Sequence, residues 1–219
     1  MNELWAVIPS CCRGEPLGKL VSQLQDEGVS VVVIDTGYDP PLEPLGGVTV
    51  IRDVEQPKNI SRWWNTGISY VSKLFHDTST RHAIAILNDD VVLQPNTVRV
   101  LAEEMWAVGS TIAYPDQHGK GHNLLNTEAR QIDLRDRIVG YAFVIDGHSD
   151  IYADERLEWW FGDDDIDWKA RKRNGSLLVG GVTVQHLSPN GWQVTNPELV
   201  ERAWQDRVEF ARKWGMTPW

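Results

Sequence analysis

The stretch AILNDDVV, residues 85–92, decides how this chain is read. Its apolar run has the length and continuity of a strand buried on both faces, and it stops at Asn88, Asp89 and Asp90. A buried carboxylate is costly unless something pairs with it, so acids closing such a strand point to a working edge. In open α/β sheets ligands gather where strands end at their carboxyl termini.

Working outward, LWAVIP (4–9) reads as a first buried strand, followed by a helix with Leu17, Leu20, Val21 and Leu24 on one face and a stop near Gly28. VSVVVID (29–35) and VTVIR (48–52) are further strands, separated by the Pro- and Gly-rich loop 36–47. A helix is expected over roughly 60–76. After the strand HAIAILNDD (82–90), another helix enters at Pro95 with Val98, Leu101 and Met105 on its inner face. Strands alternating with helices imply crossover connections and a mostly parallel sheet with helices on both faces. Ser10, Asp35 and Asp90 would then share one edge.

The second half reads differently. GSTIAYP (109–115), RIVGYAFVI (137–145) and SLLVGGVTVQH (176–186) look like strands, the last as one piece. Residues 116–136 carry no period and suggest a lid or acceptor loop. Asn196 and Pro197 open a terminal helix ending near Gly215. At 219 residues this is one domain, 1–219, with a nucleotide-binding half (1–115), an acceptor and catalytic half (116–195) and a C-terminal helix (196–219).

Composition narrows the function. Lys and Arg number 21 against 31 Asp and Glu, a net charge of −10, which disfavours non-specific attraction to nucleic acid or anionic membrane. The basic run Lys169, Arg171, Lys172, Arg173 is read as a solvated helix face. Cys11 and Cys12 are adjacent and form no disulfide framework, in keeping with a reducing cytoplasm. The first apolar run is strand-length, so no membrane insertion is expected. GxxxxGK[ST], GxGxxG, HExxH, CxxC and GxSxG are all absent, which removes P-loop, dinucleotide, zincin and serine-hydrolase readings.

Four carboxylates, Asp163, Asp164, Asp165 and Asp167, crowd one helix start. A helix dipole welcomes some negative charge there, but like charges this close need a cation or a raised pKa. Trp168 and Asn174 stand where an EF-hand loop requires Gly and Glu, so that site is rejected. His186 ends VTVQH, and with a strand-end aspartate it suits a borderline divalent ion such as manganese.

Taken together, the motifs resemble the family 2 inverting glycosyltransferases of A-type fold, in particular their rhamnosyltransferase-like branch. The resemblance covers roughly residues 4–190 and lies in AVIPSCCRG, VVVIDTG, SRWWNTGI, ILNDDVVLQPNTV, VGYAFVID, DERLEWWFGDDDIDWKARKRNG and VTVQH, in that order. It implies that Asp90 and His186 bind a divalent metal, Mn2+ or Mg2+, bridging the diphosphate of a nucleotide sugar, with UDP or TDP as carrier. It implies that Pro9, Ser10, Asp35, Arg62, Asn65, Asn88 and Asp89 line the donor pocket, Asn88 standing where relatives carry an acid. It implies that Asp165, or Asp164 if the alignment slips by one, is the catalytic base, and that Trp159 and Trp160 wall the sugar site or join the core. The acceptor is a hydroxyl of unknown origin, with a nucleic-acid base left open. The rivals are a nucleotidyltransferase and an inert sugar-binding module.

Overall fold

A computed structural model describes residues 2–11, 14–43, 46–187 and 197–218. Its centre is an eight-stranded sheet built from β1 (Glu3–Ser10), β2 (Ser30–Asp35), β3 (Val48–Arg52), β4 (His82–Leu87), β6 (Ile112–Pro115), β7 (Leu124–Asn126), β8 (Ala142–Asp146) and β9 (Ser176–Val179), in the order β3-β2-β1-β4-β8-β6-β9-β7. A two-stranded ribbon pairs β5 (Val91–Leu93) with β10 (Val184–His186). Strands β3, β2, β1 and β4 run parallel, as do β6 and β9; β8 inserts antiparallel between β4 and β6, and β7 closes the far edge antiparallel to β9.

Strand alternation sorts the core onto two faces. Ala6 and Ile8 of β1 face α1 (Gly14–Asp26) and α3 (Thr97–Val108), whose Leu17, Leu20, Leu24, Val98, Leu101 and Met105 complete one layer. Val7 faces the opposite way, toward Trp64 and Ile68 of α2 (Ile60–Phe75) and Ile166 of α4 (Gly162–Arg171). Helix α5 (Pro197–Trp214) adds a third cluster through Phe210, which meets Phe161 and Trp168. No helix among the described residues is long and apolar enough to cross a membrane.

Helix α2 lies against β1 so closely that a Cβ on Gly67 would sit 2.2 Å from Cγ1 of Val7. Gly67→Ala must push apart two packed layers, and overfilling a close-packed interior costs about 1–3 kcal/mol. A lower urea midpoint with an unchanged slope is the expected reading.

At the opposite end of β4, His82 is buried, stacks on Phe75 with ring centroids 4.2 Å apart, and leaves Nε2 without a hydrogen-bond partner. Burial holds its pKa below the ordinary 6.5. The unfolded chain therefore takes up the proton first, and this stabilisation is full above pH 6.5 and lost as pH falls through the folded value. His82→Phe, which keeps the stack, is expected to flatten the fall in Tm between about pH 7 and 5.

Three expectations are corrected. The segment 176–186 is two strands in two sheets, because Gly181 adopts φ +78° and a Cβ on Gly180 would meet the His122 backbone at 2.3 Å. The stretch 116–136 is not without structure: it contains β7 and a 3-10 turn at Leu134–Asp136, with Asp116 accepting the N–H groups of His118 and Gly121. Arg171 is no solvated cation; it is 2% exposed and pairs with Asp167, because this side of α4 faces the sheet rather than water. Asn196, read as a helix opener, lies outside the described residues.

Candidate active site

The carboxyl ends of β1, β2 and β4 bring the first group of candidate residues together. Ser10 is in register with Asp35, and Pro9 with Ile34. The Ser10 hydroxyl donates to Asp89 Oδ2 at 2.7 Å and lies 2.9 Å from the Tyr38 hydroxyl. Asp89 thus turns back onto the β1 terminus, joining the acidic loop to the β2 loop.

Asp35 is 1% exposed and its carboxylate is occupied: Oδ1 accepts from the N–H groups of Gly37 and Tyr38, and Oδ2 from Leu42 N–H and Arg52. Burial alone would raise its pKa, but these donors outweigh that and hold it below the usual carboxylate range. Its direct effect is to shape residues 36–42. Arg62 likewise grips Asp53 through Nε and Nη2 and the carbonyl of Glu55, and Asn65 bonds both the N–H and the C=O of Ala153. Both residues order loops around the edge.

Asp90 and His186, 96 positions apart, meet. Because β5 follows the acids directly and pairs antiparallel with β10, His186 falls opposite Val91. Its Nε2 lies 3.1 Å from Asp90 Oδ1 and 3.4 Å from Asn88 Nδ2. Tyr141 stacks on the imidazole at 4.5 Å and 18°, and its carbonyl accepts from Asn88 N–H. One ring nitrogen cannot donate to Asp90 and accept from Asn88 at once, so Nε2 and Oδ1 share a single proton position. A cation in that position would be held by one oxygen and one nitrogen, a donor set suited to Mn2+. Among the described residues no third His, Cys, Asp or Glu completes the set, so such an ion requires oxygens from a ligand; on that condition the residues fit it.

The acidic turn of α4 separates into unequal members. Asp165 is fully buried: Trp214 Nε1 and Asp154 N–H donate to it at 2.9 and 3.1 Å, and the ammonium groups of Lys169 and Lys213 each approach to 2.7 Å. Asp164, also buried, is clasped by Nε and Nη2 of Arg137. Burial lifts its carboxyl to about 7, against the pull of that guanidinium. Asp167 pairs with Arg171 and Ser176, and burial raises it too. Asp163 meets Arg137 at 3.8 Å and packs against Gly140. Trp159 lies edge-on to Trp63 and Trp160 packs with the Phe210 cluster, so both contribute to packing.

Tyr38, Tyr141 and Arg137 escaped sequence reading. No periodicity marks them, since each acts through a contact made far along the chain.

Compared with solved structures, the chain aligns with residues 1–349 of S. aureus TarS, a wall teichoic acid glycosyltransferase, at a TM-score of 0.58 and 14% identity, covering 95% of this chain and 65% of that one. The fold is that of an A-type glycosyltransferase. The chain spans just under two thirds of the TarS chain. No protein-family model matches it, and no curated protein matches it in sequence. Within this glycosyltransferase fold, the Asp90–His186 pair sits on the strand-end edge where nucleotides bind in open α/β sheets.

Proposed function

We propose that the protein is an inverting, metal-dependent glycosyltransferase, akin to the rhamnosyltransferase-like branch of family 2, that moves a sugar from UDP or TDP to an acceptor hydroxyl. The observation carrying this reading is the meeting of Asp90 and His186 beside Asn88 and Ser10.

Asp90 and His186 would hold Mn2+ or Mg2+, with the donor diphosphate supplying the remaining oxygens. The ion, when bound, contributes positive charge against the diphosphate as its bond to the sugar weakens. Tyr141 keeps the imidazole plane in place. Asn88 presents a neutral amide where a second acid would repel phosphate. The Asp89–Ser10–Tyr38 chain ties the acidic loop to the β2 loop, and Asp35 and Arg62 set the loops that receive the base. A carboxylate of the α4 turn takes the acceptor proton as the acceptor oxygen attacks the anomeric carbon from the side opposite the nucleotide.

Incubation with Mn2+ and a panel of UDP and TDP sugars is expected to release free nucleoside diphosphate slowly, water standing in for the acceptor. Release of pyrophosphate would assign a nucleotidyltransferase instead, and nucleotide binding without any turnover would assign an inert module.

A further inference from the structure

We propose that the base of the α4 turn is Asp163, the residue before the two that the family resemblance selects. The inference rests on the transferase reading above and identifies the proton acceptor within it.

A general base must reach its substrate with a free oxygen. Asp165 cannot: with no exposed surface and four donors, two of them ammonium groups, its oxygens are committed to Lys169, Lys213, Trp214 and Asp154. Asp164 is 1% exposed and spends both oxygens on Arg137. Asp163 keeps 13% of its side chain exposed and touches Arg137 only at 3.8 Å, beyond hydrogen-bond reach.

Its position is equally specific. A Cβ on Gly140 would fall 2.8 Å from Asp163 Oδ2 and 3.0 Å from its Cγ, so the carboxylate occupies the room that glycine leaves. Gly140 adjoins Tyr141, whose ring stacks on His186 and whose carbonyl holds Asn88. Two contacts, Asp163 with Gly140 and Tyr141 with His186, and one peptide link therefore connect Asp163 to the Asp90–His186 pair. Arg137, anchored on Asp164, sits behind Asp163 and fixes its direction without consuming its oxygens.

In the step itself, the acceptor O–H proton passes to an Asp163 oxygen. The acceptor oxygen forms its bond to the anomeric carbon, and the sugar–phosphate bond breaks with its electron pair leaving on the nucleoside diphosphate.

The test compares Asp163→Asn, Asp165→Asn and Gly140→Ala for nucleoside diphosphate release, donor KM, UDP and TDP affinity, and Tm. Asp163→Asn is expected to lower kcat by about 10²–10⁴-fold, the usual worth of a positioned base, with donor KM, nucleotide affinity and Tm unchanged. Gly140→Ala displaces the carboxylate and is expected to lower kcat about 10-fold, also at constant KM. Asp165→Asn is expected to lose Tm while folded protein retains kcat. A kcat for Asp163→Asn within about threefold of the unaltered protein overturns the assignment alone. Failure of the unaltered protein to release nucleoside diphosphate from any donor overturns the transferase reading and this one with it.

Discussion

Asp165→Ala is expected to lower Tm by roughly 6–12 °C. Its side chain is the point where α4, α5 and the 152–156 segment are joined: Lys169 belongs to α4, Lys213 and Trp214 to α5, and the Asp154 N–H to the segment between β8 and α4. Removing one partner of a buried ion pair costs about 3–5 kcal/mol, because the remaining charge stays behind without its counterion. Both lysines are partly exposed and keep second partners, Tyr152 O and Asp154, so the lower figure applies. At about 2–4 °C per kcal/mol for a chain of this size, the Tm shift follows. Differential scanning fluorimetry checks it, with Asp163→Ala as the control expected to change little. A fall under about 2 °C would mean that Phe210 and its aromatic neighbours, and not this ionic node, hold α5 in place.

Asp90→Ala is expected to weaken Mn2+-dependent UDP or TDP binding by about 100-fold, equivalent to roughly 2.7 kcal/mol. It deletes one of two protein donors from a site that has no third His, Cys, Asp or Glu among the described residues. The fold should survive, since the β5–β10 ribbon is joined by backbone pairing and by the Leu187 N–H bond to the Asp90 carbonyl. Titration calorimetry with Mn2+, repeated in chelator, measures the effect. Chelator should bring unaltered protein and variant to the same weak affinity; equal affinities in Mn2+ would sink the metal-bridged reading of the donor site.

Much of the fold was legible because it follows from local pattern. Val31 to Ile34 and Ala83 to Leu87 are continuous apolar runs of strand length, the pattern of strands covered on both faces. The spacing of Leu17, Leu20, Val21 and Leu24 marks the buried side of α1 without reference to anything else. The antiparallel insertion of β8 was not legible, because a short, almost wholly buried strand carries no mark of its direction. Nor was β5, three residues long, whose only signature is the partner it finds in β10.

The site divides in the same way. That carboxylates gather after β4 and at the start of α4 is a property of the sequence, as is the histidine closing β10. Which of Asp163, Asp164 and Asp165 keeps a free oxygen is not, because successive helix positions turn by about 100° and all three are the same residue. The choice is made by what each direction meets: Gly140 for Asp163, Arg137 for Asp164, and the lysines and indole of two helices for Asp165.

Residue order by itself determined the alternating α/β plan, the apolar faces of α1 and α3, and the chemical kinds of group available at the edge, since burial and propensity act over a few neighbouring positions. Tertiary structure alone decided strand direction at β8, the pairing of Asp90 with His186 across 96 residues, and the division of the acidic turn into structural and open members. Those outcomes depend on distances between segments remote along the chain, and charge, burial and hydrogen-bond geometry have no value until those distances are set.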